Sequence, residues 1–167
     1  MKTSFRTVAA IAAFCATMLA SGAAMAASTT TNLSVTANVV SSCSVNSTTT
    51  LAFGAIAAGT LPINNNGSVT FTCSSGTPWF VTANNGSNAS GSQPRMVSSG
   101  QYLSYNIYSD NGRTTAFPTA LGTLGSGNTG GTGTGGQQTV TVYGQVPSQL
   151  LPPAGTYTDT VTLTINW

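Results

Sequence analysis

Residues 160–167 read Thr-Val-Thr-Leu-Thr-Ile-Asn-Trp. Apolar side chains occupy every second position of this stretch: Val161, Leu163, Ile165 and Trp167. A period of two is that of a β-strand with one face turned toward a core. The alternation continues to the last residue of the sequence, so we expect a final strand whose free edge is not paired by any later strand.

Similar short runs recur along the chain, at 33–39, 69–73, 79–83, 103–107 and 139–143. Asn-Gly pairs at 66–67, 85–86 and 111–112 lie beside them, and these are residues that tight turns between strands favour. Outside the first 26 residues, no window has the 3.6-residue period of an amphipathic helix. The pattern predicts an all-β antiparallel sandwich.

The first 26 residues have the pattern of a secretory signal peptide. Lys2 and Arg6 precede an apolar run at 8–20, and the small residues Ala24 and Ala26 form an A-x-A cleavage site. The apolar run is too short for a stable membrane span. We therefore expect residues 1–26 to be a signal peptide and the rest of the chain to be exported.

The charge of the remaining chain excludes several classes of protein. After cleavage only Arg95, Arg113, Asp110 and Asp159 carry charge, so two positive and two negative side chains cancel. A nucleic-acid-binding protein needs a basic surface, which is missing. The sequence contains no histidine, so a Ser-His-Asp or Cys-His active site is also excluded.

Two apparent motifs have structural explanations. Residues 125–130 match G-x-G-x-x-G, but they lie in a tract, 122–136, with eight glycines in fifteen residues and no following helix. We interpret this tract as a flexible, exposed loop. Asp110 and Asp159 are interpreted as a turn residue beside Arg113 and as a support for the last strand. We expect no catalytic residues, no metal site and no cofactor.

Two cysteines remain after cleavage, Cys43 and Cys73, because Cys15 belongs to the signal peptide. An even number of cysteines in an exported chain predicts a disulfide. Residues 27–36 precede the segment that this disulfide encloses. A spare strand at the N-terminus and an unpaired strand at the other end suggest that one molecule completes another.

Six stretches together resemble a known family. They are Val-Val-Ser-Ser-Cys-Ser-Val (39–45), Leu-Ala-Phe-Gly (51–54), Val-Thr-Phe-Thr-Cys (69–73), Tyr-Leu-Ser-Tyr-Asn-Ile-Tyr (102–108), Val-Tyr-Gly-Gln-Val-Pro (142–147) and residues 153–167, which contain Gly-Thr-Tyr-Thr-Asp-Thr. Residues 27–167 are similar to the spore coat protein U-type domain, found in subunits of archaic, Csu-type chaperone–usher pili. The glycine-rich tract has no place in that pattern.

The resemblance implies an incomplete immunoglobulin-like sandwich that lacks its last strand. A periplasmic chaperone would lend a strand first. The N-terminal extension of the next subunit would then replace it at an outer-membrane usher, which is donor-strand exchange. Localisation would be the cell-surface pilus of a Gram-negative bacterium, after export through the periplasm, and the partners would be identical or related pilin subunits.

These implications assign three regions and two sets of residues. The regions are a signal peptide (1–26), a donor-strand extension (27–36) and a pilin domain (37–167). The donor face would consist of Thr29, Thr31, Leu33 and Val35. The acceptor groove would be lined or flanked by Val161, Leu163, Ile165 and Trp167.

The function we expect is that of a structural pilus subunit that supports adhesion and biofilm formation. An alternative is a monomeric secreted coat or carbohydrate-binding module, with Tyr102, Tyr108 or the glycine-rich tract as its contact surface. A hydrolase that uses Asp110 and Asp159 is a third class, for which neither aspartate has a suitable sequence context.

Overall fold

The computed structural model describes residues 26–167, so the predicted signal peptide lies outside the described residues except for Ala26. The chain divides into two units, Met1–Ala37 and Asn38–Trp167. In the first unit, residues 26–37 are exposed and form neither helix nor strand. Within the described part of the chain, no helix is long and apolar enough to cross a membrane.

The second unit, which we call the body, is built from β-strands. The strands are β1 (Cys43–Thr49), β2 (Ile63–Cys73), β3 (Pro78–Ala83), β4 (Arg95–Ser98), β5 (Gln101–Ser104), β6 (Asn106–Tyr108), β7 (Gly130–Thr132), β8 (Gln137–Val146) and β9 (Leu163–Asn166). All of their pairings are antiparallel. The predicted all-β antiparallel fold is therefore confirmed.

The strand order is that of an immunoglobulin-like sandwich. One sheet has the order β1-β2-β8-β6, the second has the order β7-β3-β9, and β4 and β5 form a hairpin. In an immunoglobulin domain, strands A, B, E and D form one sheet and C, F and G the other. Here β3 and β9 take the places of C and F. Among residues 26–167 no strand takes the place of G, so β9 is an edge strand.

The core lies between the two sheets. Alternate residues of β2 are buried (Val69, Phe71, Cys73), and so are those of β8 (Val140, Val142, Val146). From β3 the core receives Trp79, Val81 and Ala83. The rings of Phe71 and Trp79 meet edge to face with their centroids 4.8 Å apart. This buried alternation explains why the period of two predicted the strands correctly.

Hydroxyl and amide side chains cover the outer face of the first sheet. Thr70 and Thr139 face each other across β2 and β8 with their Oγ1 atoms 3.0 Å apart. Thr72 donates to Asn46 Oδ1 over 3.1 Å, and Gln145 donates to Asn64 over 2.9 Å. The abundant Thr and Asn residues thus form hydrogen bonds between strands where other proteins place charged pairs.

Two expectations about turns and loops are wrong. Asn66 and Gly67 lie inside β2, where they pair with Tyr143 and Val142, and do not form a turn. The glycine-rich tract is not simply a flexible exposed loop, because it contains β7, which pairs with β3. A Cβ atom on Gly131 would lie 2.6 Å from Trp79 Cζ2. Here glycine therefore allows close packing against an aromatic ring.

The last strand is shorter than the alternation suggested. Residues 160–162 are tied to the loop after β3, since Ser87 N donates to Thr160 O over 3.0 Å. Asn84 both donates to Thr162 O and, through Oδ1, accepts from Thr162 N. Backbone and side-chain bonds to this loop hold the segment without a regular strand ladder, and regular pairing with β3 begins at Leu163.

The predicted disulfide is confirmed: Cys43 and Cys73 are bonded and face each other across β1 and β2. Replacing both by alanine should lower the free energy of unfolding by roughly 3–4 kcal/mol, because the bond closes a loop of about 30 residues in the unfolded chain. Urea denaturation of the oxidised protein and of Cys43→Ala/Cys73→Ala measures the difference. Equal unfolding midpoints would contradict the prediction.

Candidate functional site: an apolar groove beside the core

An apolar cavity of about 900 Å3 opens on the body, and we call it the groove. Core residues form its base: Val69, Leu103, Tyr105, Ile107 and Val142. One wall comes from residues 48–56 and the other from residues 151–163. Partly buried side chains from both walls pack against the core: Leu51, Phe53, Ile56, Leu151, Tyr157, Val161 and Leu163.

The first wall lies close against the sheet because two glycines leave room for it. A Cβ atom on Gly144 would lie 2.6 Å from Leu51 Cδ2 and 2.9 Å from Phe53 Cζ. A Cβ atom on Gly67 would be 3.0 Å from Thr49 O and 3.1 Å from Leu51 Cβ. The wall is also bonded to β2 by Asn65 Nδ2, which donates to Ala52 O. The predicted turn glycine, Gly67, therefore shapes the groove instead.

The second wall has little regular structure, and it is held by hydrogen bonds. Thr158 exchanges two backbone bonds with Val97 of β4, of 2.9 and 3.2 Å. The Tyr157 hydroxyl donates to Pro153 O over 2.7 Å. These contacts hold the wall against the β4–β5 hairpin.

A polar cluster lies where the base meets the second wall. The Tyr105 hydroxyl donates to Asp159 Oδ2 over 2.7 Å, and Asn88 donates to Asp159 Oδ1 from its backbone N (3.1 Å) and Nδ2 (2.9 Å). The Tyr105 ring lies beside Phe53, with centroids 6.2 Å apart. Burial, and after it the hydrogen bond to Asp159, raises the pKa of Tyr105 far above its ordinary value of 10.0.

The predicted site residues fall in three places. Val161 and Leu163 line the groove. Ile165 of β9 and Trp167, which follows the end of β9, line a separate depression of about 310 Å3 with Leu121, Leu124 and Asn166. The predicted donor residues Thr29, Thr31, Leu33 and Val35 are all exposed, with Leu33 at 86% and Val35 at 84%.

Sequence analysis missed most of the groove. Leu51 and Phe53 contributed only to the family resemblance, although their spacing of two was a usable signal. Neither Tyr105 nor Tyr157 was assigned to the acceptor groove. Nothing local in the sequence indicates that these residues line one cavity, since they come from segments far apart along the chain.

The charged side chains hold loops in place. Asp110 Oδ1 accepts from Thr114 N and Thr115 N over 3.1 and 2.6 Å, which matches its predicted role in a turn. Arg113 Nε donates to Gly144 O over 3.0 Å. Within residues 26–167, no group of three or more His, Cys, Asp or Glu side chains is arranged to hold a metal ion.

Gly144→Ala tests the packing of the first wall. The new methyl group has to displace Leu51 and Phe53, so we expect a loss of about 1–3 kcal/mol in the free energy of unfolding. Gly136→Ala is the matched control, because the nearest atom to its Cβ would be Thr134 Oγ1 at 3.7 Å. Denaturant unfolding compares the two variants, and equal stabilities would contradict the close packing.

The raised pKa of Tyr105 predicts a loss of stability at alkaline pH. Above about pH 10 the unfolded chain releases this proton while the folded protein keeps it, so rising pH favours unfolding, by at most about 1.4 kcal/mol per pH unit. Tyr105→Phe should flatten the fall of the unfolding free energy above pH 10. Tyr143→Phe, the same chemical change on the outer face of β8, is the matched control. An equal slope in wild type and Tyr105→Phe would refute the prediction.

Comparison with known proteins identifies the family. The model of the Spore Coat Protein U domain matches residues 29–164. "Protein U" of Myxococcus xanthus is 34% identical over an alignment of 186 residues, gaps included. The alignment covers 98% of this chain and 99% of that protein.

A solved structure is also similar to this chain. It is the crystal structure of the CsuC–CsuE chaperone–tip adhesion subunit pre-assembly complex from archaic chaperone–usher Csu pili of Acinetobacter baumannii. The TM-score is 0.53 at 25% identity, over 77% of this chain. The chain spans 40% of the length of the matched chain in that structure. The resemblance noted in the sequence is thus supported by a family match over most of the body, and the chain belongs to the Spore Coat Protein U domain family.

Proposed function

We propose that this protein is a structural subunit of a chaperone–usher pilus, in which residues 28–36 of one molecule fill the groove of the next. The observation that carries the proposal is the apolar groove beside the edge strand β9, at the position where an immunoglobulin domain has its last strand. An open apolar edge promotes uncontrolled association unless something covers it. Adding a strand provides both apolar contacts and backbone hydrogen bonds.

Residues 28–36 have the composition that such a donor strand needs. Leu33 and Val35 are spaced by two, so in a strand both side chains face the same way. Burying two large apolar side chains contributes roughly 3–6 kcal/mol. Each backbone hydrogen bond adds about 0.5–1.5 kcal/mol. Thr29 and Thr31 would occupy the same face of the strand.

The position of the groove supports the proposed acceptor role of residues 161–167 in part. Val161 and Leu163 line the groove, while Ile165 and Trp167 line the separate depression. We therefore propose 27–36 as donor extension and 37–167 as acceptor domain, following a signal peptide at 1–26. Because donor and acceptor are different surfaces, the contact is head to tail and produces an open filament.

The same groove requires protection before assembly. The matched solved structure is a complex of a chaperone with a pilus subunit. By this similarity we propose a periplasmic chaperone and an outer-membrane usher as assembly partners, and the surface of a Gram-negative cell as the final location. The role is structural, without catalysis, and the filament would serve adhesion and biofilm formation.

The alternative of a monomeric carbohydrate-binding module is less well supported. Tyr102 is 45% exposed, but the Arg95 guanidinium lies over its ring at 4.0 Å from the centroid. That face of the ring is occupied by the protein's own side chain. Tyr108 is only partly exposed and pairs within β6 and β8.

Leu33→Asp tests the donor strand. A carboxylate in the apolar groove opposes insertion, so surface-sheared material should lose the ladder of heat-sensitive multimers on a denaturing gel. Ser34→Asp is the matched control, because residue 34 faces away from the groove in the proposed strand and the ladder should remain. Deletion of 27–36 should act like Leu33→Asp. Long fibres at wild-type yield from the deletion variant would refute the proposal.

A further inference from the structure

Asp159 is the acidic side chain in the lining of the groove, and all of its hydrogen-bond partners are uncharged. The hydroxyl of Tyr105 and the two donors of Asn88 bind its two oxygen atoms at 2.7–3.1 Å. Hydrogen bonds to a carboxylate are stronger than bonds between neutral groups. We refer to Tyr105, Asn88 and Asp159 together as the node.

The node joins three segments that are far apart in sequence. Asn88 lies in the loop after β3, Tyr105 lies between β5 and β6, and Asp159 belongs to the second wall just before β9. The loop approaches so closely that a Cβ atom on Gly86 would lie 1.9 Å from Asp159 Oδ2. Arg95 Nε in turn donates to Asn88 O over 3.1 Å. Several contacts thus converge on one carboxylate.

Tyr105 also connects the two walls of the groove. Its hydroxyl is bonded to Asp159 of the second wall, and its ring packs beside Phe53 of the first wall. The Tyr105 side chain is 3% exposed, so it is fixed in position by the core. The separation of the walls is therefore set through a side chain that cannot move independently of the core.

The second wall depends on such contacts because it is not part of a sheet. Between Leu151 and Thr162 the chain forms no regular strand. Its backbone is attached to neighbouring segments at Thr158, Thr160 and Thr162, through bonds with Val97, Ser87 and Asn84. Asp159 lies between the first two of these attachment points. Losing its bonds would free the middle of the wall without removing any core side chain.

We propose that the node positions the second wall of the groove and thereby determines how tightly the groove binds an incoming strand; this inference rests on the proposed function. Tyr105 and Asp159 act as positioning residues, through the wall that they hold. The Gly-Thr-Tyr-Thr-Asp-Thr stretch at 155–160 thus contains both the middle of the second wall and Asp159, the residue that holds it in position.

The experiment measures the affinity of the groove for a defined strand. The acceptor is the full exported chain carrying Leu33→Asp and Val35→Asp, which prevents it from using its own donor segment. The probe is a labelled synthetic peptide of residues 28–36, and binding is followed by fluorescence anisotropy. Tyr105→Phe and Asp159→Asn are introduced singly and together. Tyr143→Phe and Asp110→Asn are the matched controls, with the same chemical changes away from the groove.

We expect Tyr105→Phe and Asp159→Asn each to raise the Kd of the peptide about tenfold, as the loss of a hydrogen bond to a charged group predicts. The double variant should be little weaker than either single variant, because both changes break the same bond. Both controls should stay within about twofold of the parent acceptor. Amide hydrogen exchange in Tyr105→Phe should rise at 156–161 while β2 and β8 remain protected.

Two results separate failure of this inference from failure of the proposed function. If the parent acceptor does not bind the peptide, the proposed function fails and the inference fails with it. If the parent binds but Tyr105→Phe and Asp159→Asn bind equally well, only the inference is overturned. Unfolding of Tyr105→Phe, or loss of protection throughout its sheets, would also overturn it, because the node would then support the whole sandwich.

Discussion

The rest of this structure depends on the edge of β9, which pairs with β3 on one side and has no strand partner on the other among the described residues. In an immunoglobulin-like sandwich the strand beyond this edge covers one side of the core. Where that strand is missing, apolar side chains line an open groove. A protein that bears such a surface has to keep it covered or use it for association. The groove and the filament that we propose both follow from this constraint.

An almost uncharged body has to hold its loops without networks of ion pairs. Hydroxyl and amide side chains bridge the strands of the first sheet, and the few charged groups act as hydrogen-bond centres for loops. Asp110 accepts bonds from a turn, and Asp159 accepts bonds from two other segments. The acids that the sequence offered as a possible catalytic pair thus each serve in a separate part of the framework. Two glycines also have structural roles, because the absence of a side chain lets Leu51 pack against Gly144 and Trp79 pack against Gly131.

Sequence reasoning succeeded where a residue's role depends on its neighbours along the chain. The alternation at 69–73 and 139–143 predicted strands that the structure contains, and the cysteine count predicted the disulfide. It failed where a role depends on what lies across a sheet. Asn66-Gly67 has the local pattern of a turn, yet ten residue pairs join β2 to β8 across this region, and their ladder extends the strand through it.

The sequence by itself determined the all-β class and the disulfide, because a short-range periodicity and a cysteine count can be read directly from the chain without knowing how it folds. Tertiary structure alone decided which residues meet at the groove. Val161 and Leu163 line it while Ile165 and Trp167 line another depression, although the alternation in the sequence predicted one face for all four. The physical reason is that a cavity is a property of the distances between segments. Leu51, Tyr105 and Asp159 come together only after both sheets have packed.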